Sequence, residues 1–262
     1  MTESIRVRNA KGLYLEGIRD GNMRAALDAY TGDRYTQHST GVRDGKEGFI
    51  EFFTPFLERN PVRDIQVLRS IEDGRFVFVH VYQNLNHGAA EWVTADIFDT
   101  DEAGRIVEHW DVIAAYEWPT VSGRSMVDGP TGIEDLDRTA ANKHLVQGFV
   151  DDVLIGGSAD KLTDYISTAQ YHQHSTGVAD GVDAFAEHLR QARHSGDAAR
   201  YVKAHRLLGQ GNFVVTFCEA VRAGATWAVF DLYRLKDGKI VDHWDVQEKV
   251  GPPDTWNNAG KF

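Results

Sequence analysis

Moving a proton near neutral pH requires groups that hold and release one, and this chain carries such groups twice in the same order. Tyr35-Thr36-Gln37-His38-Ser39-Thr40-Gly41-Val42, then Asp44-Gly45, returns as Tyr171-His172-Gln173-His174-Ser175-Thr176-Gly177-Val178, then Asp180-Gly181. The offset is 171 − 35 = 136 residues. His109-Trp110-Asp111-Val112 returns as His243-Trp244-Asp245-Val246, at 243 − 109 = 134. Two distant motifs at nearly one offset mark the tandem duplication of a domain of about 130 residues, a common size for one compact unit. A core can be copied with any apolar residues. Copied His and Asp residues point to a copied site.

Strand alternation says which of these residues can meet. His109 and Asp111 share one face of the strand they lie on, and Trp92, Thr94 and Asp96 share a face of the strand before it. Pairing the two as a hairpin brings Asp96 to His109 or Asp111. Trp227, Asp231, His243 and Asp245 repeat the pattern. Each half is thus expected to gather two carboxylates and a histidine on one sheet face, with His38 or His174 adding another. His80 belongs to the first half alone, its counterpart being Phe217. An Asp beneath a cover of helices loses water, and a second Asp nearby opposes its ionisation; both effects raise a pKa. A neighbouring His can hold a proton or orient the carboxyl, so the cluster suits acid–base work. Trp92, Phe78 and Tyr82 are expected to rim a cavity for a small, mostly apolar substrate with one carbonyl or hydroxyl. Trp227 is the matching wall residue of the second half.

The elements that must position these residues also read twice. Leu13, Ile18, Met23, Ala26, Leu27 and Tyr30 recur at helical spacing, broken at Asp20-Gly21-Asn22. Leu145, Phe149, Val153 and Leu154 do the same, broken at Gly156-Gly157-Ser158 before a short helix over 161–166. Third helices are expected over 48–57 and 182–192, with Asp44 and Asp180 just upstream where an acidic residue suits a helix start. Strands follow at 75–82 and 212–219, at 92–98 and 227–233, and at 106–114 and 240–248, the last two of each half joined as hairpins. This order predicts an α+β domain, helices covering one face of a curved antiparallel sheet. Domains are expected over 1–116 and 138–250. Between them runs a Gly- and Pro-bearing linker, 117–137, and a tail, 251–262, holds the matching place after the second. Trp118 and Trp256 in these segments call for cover.

Composition bounds the partners. The 262 residues carry a formal net charge of −11 without a block of Lys or Arg, so no nucleic-acid partner is expected. No apolar run approaches the roughly 18 residues of a membrane span, so no membrane partner is expected either. The first residues lack the apolar stretch of a signal peptide, which leaves a cytoplasmic location as the expectation. Cys218, the single cysteine, falls in an apolar strand and allows neither an internal disulfide nor a Cys-based zinc site.

These residues resemble the SnoaL-like polyketide cyclase family of the NTF2-like superfamily. The resemblance rests on the Gln-His-Ser-Thr-Gly-Val stretches with their downstream Asp-Gly, and on two endings. One is Asp96-Ile97-Phe98 followed by Gly104-Arg105-Ile106-Val107-Glu108-His109-Trp110-Asp111-Val112, the other Asp231-Leu232-Tyr233 followed by Gly238-Lys239-Ile240-Val241-Asp242-His243-Trp244-Asp245-Val246. The segments 123–130 and 258–262 are similar to the tail of a subgroup described as SnoaL-like aldol-condensation enzymes. The resemblance implies two tandem NTF2-like cone-shaped barrels, each with a pocket inside, arranged as an internal pseudo-dimer with Trp110 and Trp244 near the shared face; a further homodimer is compatible with it. It also implies a general base at Asp111 and Asp245, abstraction of a proton next to a carbonyl, and no cofactor. The chain departs from the family's pattern at Asp96 and Asp231, where cyclases often carry a His; a carboxyl there can polarise a carbonyl only when protonated.

The expectation is therefore a cofactor-independent acid–base enzyme performing aldol condensation, cyclisation, isomerisation or dehydration on a small carbonyl or hydroxyl compound. Asp111 and Asp245 are its candidate bases, and Asp96 and Asp231 its proton donors or polarising groups. His109, His243, His38 and His174 are the tuning groups, and His80 sets the first site apart. Two other readings stay open. One is a metal-dependent enzyme using the His/Asp cluster. The other is a non-enzymatic ligand-binding or assembly protein.

Overall fold

A computed structural model describes residues 3–195 and 199–262 and divides the chain into two compact units. Unit 1 comprises Met1–Ala115 and Val250–Phe262; unit 2 comprises Tyr116–Lys249.

Unit 1 opens with helix α1 (Ile5–Gly12), whose Ser4 cap accepts from the Val7 amide at 3.1 Å. The helix widens without a break into a π-helical stretch, Leu13–Arg19. Gly21, at φ +81°, turns the chain into α2 (Met23–Tyr30). Of the apolar stripe expected here, Leu13, Ile18, Ala26 and Leu27 are buried and Met23 and Tyr30 are half-buried against them; Tyr14 is buried with them. Strand β1 (Thr31–Gln37) and helix α3 (Gly45–Arg59) follow. Asp44 does not cap α3 through its side chain; it accepts from the Gln37 amide at 2.8 Å and so ties the repeated loop to the helix start. Gly48 is required there, since a Cβ would fall 2.1 Å from the Arg43 carbonyl oxygen.

The sheet is completed by β2 (Arg63–Asp73), β3 (Phe76–Leu85), β4 (Ala90–Thr100) and β5 (Ile106–Ala115), in the order β1-β5-β4-β3-β2, with β1 parallel to β5 and the rest antiparallel. The β4–β5 register places Asp96 opposite Asp111 and Phe98 opposite His109. Strand β2 is not legible from alternation because a bulge between Val67 and Arg69 shifts its period. Phe49, Val79, Val81 and Phe98 join the helical stripe in one core, each large side chain contributing about 1.5–3 kcal/mol by burial.

Unit 2 repeats the plan. Helix α4 (Thr139–Phe149) runs into a π-helical stretch, Val150–Ile155, followed by α5 (Leu162–Tyr165), β6 (His172–Gln173) and α6 (Val182–Ser195). The strands β7 (Arg200–Gln210), β8 (Phe213–Arg222), β9 (Ala225–Lys236) and β10 (Lys239–Lys249) form the sheet β6-β10-β9-β8-β7. Asp231 stands opposite Asp245. Two bulges in β7, after Tyr201 and after Ala204, hide that strand from alternation as in β2.

The segments after the two last strands work as straps. Residues 250–262 belong to unit 1: the Asn258 amide nitrogen donates to the Ser39 and Val42 carbonyls at 2.6 and 2.9 Å, and the Asn257 amide to the Thr40 carbonyl at 2.9 Å. The segment expected as a linker belongs to unit 2, where the Ser122 hydroxyl donates to the Gln173 carbonyl at 2.5 Å. Trp118 is not covered as expected; it remains 60 % exposed. Among the described residues no helix is long and apolar enough to cross a membrane.

Candidate active site

The hairpin β4–β5 gathers the unit 1 cluster. The His109 Nε2 lies 2.7 Å from the Asp96 Oδ1, and its Nδ1 lies 2.8 Å from the Gln37 Oε1, delivered by β1. The Gln37 oxygen also takes the Ser39 amide at 3.4 Å, which orients it as the acceptor and leaves Nδ1 as the proton-bearing nitrogen. The Tyr14 hydroxyl, from the π-helical stretch, donates to Asp96 at 2.8 Å and lies 3.1 Å from the Thr94 hydroxyl. Asp111 is held differently: the Lys261 ammonium of the C-terminal strap donates to its Oδ1 at 3.0 Å. Lys261 is 1 % exposed, so this pair is almost wholly removed from water.

The two carboxyls are thereby pushed apart. Burial raises the Asp96 carboxyl above the usual carboxylate range, and the nearby Asp111 charge adds to this; His109 and Tyr14 oppose the shift without cancelling it. Burial also works against the Asp111 charge, but the Lys261 ammonium, with His109 and a bond from Ser39, outweighs it and holds that carboxyl below the usual range. Burial and Asp96 raise the Tyr14 phenol well above its ordinary value, so it stays a neutral donor. Among the described residues no group of three or more His, Cys, Asp or Glu side chains converges as metal ligands do.

The cluster lines a cavity of about 420 Å³. Asp111 and His109 reach it at 6 % and 7 % exposure, while Asp96 stands behind them at 0 %. Phe49, Phe53, Phe56 and Phe98 supply aromatic wall, and the exposed Phe52, Trp92 and Ile113 form an apolar mouth.

Unit 2 builds the same cluster with one change of parts. The His243 Nε2 is 2.9 Å from the Asp231 Oδ1, and its Nδ1 is 2.9 Å from the Gln173 Oε1. The phenol on Asp231 comes from Tyr201 of β7, at 3.0 Å from both oxygens, and not from the helical segment that supplies Tyr14. Among the described residues no ammonium meets Asp245. The strap residue after Ser125, whose carbonyl accepts from His174, is Met126; the residue after Gly260, whose carbonyl accepts from His38, is Lys261. Burial accordingly raises Asp245, with Asp231 adding to the shift and His243 opposing it.

Several expected site residues lie elsewhere. His38 stacks on Trp110 and bonds to the Gly260 carbonyl and Glu108; His174 stacks on Trp244 and bonds to the Ser125 carbonyl and Asp128. Trp110 and Trp244 sit on the strand face opposite His109 and His243, so neither His38 nor His174 touches the carboxyl pair of its unit. Phe78, His80 and Tyr82 share the face of β3 turned from the cavity. Gln83 and Leu85, one residue out of phase with them, are the β3 residues that line it. His80 instead takes an Arg69 guanidinium at 3.1 Å, and Tyr82 donates to Glu91. The aromatic rim inferred from Phe78 and Tyr82 is therefore corrected to Phe52, Trp92 and the α3 phenylalanines. Trp227 shares the Asp231 face of β9, beneath the Arg222 guanidinium.

Sequence reasoning missed Tyr14, Tyr201 and Lys261, and passed over Gln37 and Gln173 although both stand inside the repeated motif. The repetition of that glutamine was a usable signal. Tyr14 and Tyr201 occupy non-corresponding elements, and Lys261 has Met126 at its matching place, so repetition could not mark them.

Comparison with known proteins agrees with this architecture. Residues 13–109 match the SnoaL-like domain family, and residues 144–253 match the SnoaL-like polyketide cyclase family. IdmH of Streptomyces antibioticus, provisionally named a polyketide cyclase, is 20 % identical over 41 % of this chain and 91 % of its own, with a TM-score of 0.36. A protein from Bacillus cereus with the same provisional name is 18 % identical over 42 % and 74 %, with a TM-score of 0.38. A provisionally named ketosteroid isomerase from Kribbella flavida is 12 % identical over 44 % and 84 %, also at 0.38. No curated protein matches the chain. The chain is a tandem of two SnoaL-like domains, each an NTF2-like α+β fold.

Proposed function

We propose that unit 1 is a cofactor-independent acid–base catalyst that enolises a small carbonyl compound. One observation carries this reading: two facing carboxyls on one cavity wall are driven in opposite directions, Asp111 toward the charged form and Asp96 toward the protonated form. Asp111, the carboxyl that reaches the cavity, takes a proton from the carbon next to the carbonyl. The electron pair of that C–H bond moves toward the carbonyl oxygen. Protonated Asp96 turns its O–H toward the Tyr14 oxygen, 2.8 Å away, so that the Tyr14 hydroxyl hydrogen is free for the developing oxyanion. The proton on Asp111 then returns to carbon, or passes to the alkoxide formed when the enolate attacks a second carbonyl, or leaves with a β-hydroxyl as water; these are isomerisation, aldol condensation and dehydration. The match to cyclase-type family domains supports this chemistry in general.

The test is solvent-deuterium incorporation into a panel of aryl and alkyl ketones, followed by NMR. Asp111→Asn alone strands a buried ammonium, so Asp111→Asn is combined with Lys261→Met. With unit 2 silenced by Asp245→Asn, the double variant and Tyr14→Phe should each lose about 10²–10⁴-fold of the exchange rate while staying folded. Unchanged exchange in both would end the proposal.

A further inference from the structure

Gln83 and Arg59 line the unit 1 cavity without serving its carboxyl pair. Gln83 is 8 % exposed, and among the described residues its amide has no hydrogen-bond partner. An amide open to a cavity in this way offers its donors and acceptor to water or to a ligand. Arg59 lies at the end of α3, where a basic residue often serves the last carbonyls of the helix. Here those carbonyls are taken by others: the Asn60 amide donates to Phe56, Arg63 to Leu57 and Asn60, and Asn86 to Arg59 itself. Among the described residues no carboxylate pairs with the Arg59 guanidinium. Among the described lining residues it alone carries a fixed positive charge, and it is exposed.

The strands set the spacing. Gln83 stands opposite Trp92, and Trp92 lies four residues along β4 from Asp96, about 13 Å at ~3.3 Å per residue. One end of the cavity thus holds the proton-transfer groups, and the stretch near Trp92 holds an open amide, with a guanidinium also on the lining and aromatic wall between. Unit 2 lacks the amide: Ala220 stands opposite Trp227.

On the enolisation reading, we propose that this cavity selects a carbonyl compound with an apolar, ring-sized body and a carboxylate at its far end. The Arg59 guanidinium would take the carboxylate in a fork, with Gln83 donating a further hydrogen bond. Arg59 and Gln83 would set specificity and leave the proton transfer to Asp111.

The probes are 4-(4-acetylphenyl)butanoate and its methyl ester, which differ at the far end by the charge and one methyl group. Binding to the full chain is measured by calorimetry at two salt concentrations. The acid is expected to bind about tenfold more tightly than the ester, with the preference shrinking as salt rises. Arg59→Gln should bring the acid-to-ester ratio to about one, and Arg59→Lys should retain part of it. Equal binding of the two probes, no binding of either, or a ratio unmoved by Arg59→Gln would overturn the proposal. Binding is read apart from turnover. Deuterium exchange on the ester without an acid preference would sink this inference alone, and an acid preference without exchange would sink the enolisation reading alone.

Discussion

At the scale of single residues, Lys261 decides the character of the first site. The Lys261–Asp111 pair is buried, and removing one partner of such a pair costs about 3–5 kcal/mol. Because the Asp111 carboxyl is held low, its contribution to stability is fully present above the unfolded value of about 3.9 and is lost as pH falls through the folded value. In Lys261→Met only His109 and the Ser39 bond oppose burial, and the carboxyl should rise as that of Asp245 does, so stability then falls as pH rises through its new value. Thermal unfolding should therefore show wild type and Lys261→Met furthest apart near neutral pH and converging toward pH 4. Adding Asp111→Asn should restore most of the loss near neutral pH, since both buried charges are then gone. A gap independent of pH would contradict the pairing.

At the scale of elements, the C-terminal strap completes the first site. Residues 251–262 hold the 38–42 loop through Asn257 and Asn258 and carry Lys261 to Asp111. A chain ending at Val250 should lose deuterium exchange that depends on Asp111 and should melt earlier, whereas Asn258→Ala should cost about 1–3 kcal/mol for the carbonyls it leaves open. Retention of full exchange in the truncated chain would refute this role. The helices, the β3–β5 meander and the facing of Asp96 with His109 and Asp111 were legible from 3.6- and 2-residue periods and from repetition. Strands β2 and β7 were not, because bulges break their period. The phase of β3 was misjudged as well: alternation alone shows two faces, and only the register with β4 tells which one meets Asp96. The strap ligands were illegible because contacts between Lys261 and Asp111, 150 residues apart, leave no local pattern.

At the scale of the whole molecule, duplication has yielded two clusters of one geometry and unlike electrostatics. Each sets His, Gln, Tyr and Asp in one chain of hydrogen bonds, yet Asp111 meets an ammonium while Asp245 is raised by burial. A base must be ionised to act, so the acid limb of activity should lie at higher pH for unit 2 than for unit 1. The pH profile of exchange in Asp245→Asn, which leaves unit 1, should extend further into acid than that of the Asp111→Asn/Lys261→Met variant, which leaves unit 2. Coincident acid limbs would show that the strap does not tune the base.

The opposed protonation of Asp96 and Asp111 underlies all of these outcomes, and carbon-13 NMR titration of the Asp side-chain carboxyls reads it directly. Signals are assigned by difference with Asp96→Asn and with Asp111→Asn/Lys261→Met. The account predicts that Asp111 titrates below the ordinary Asp range and Asp96 above it, so that an interval of pH holds one charged and one proton-bearing carboxyl. Asp96 titrating at or below Asp111 would contradict it.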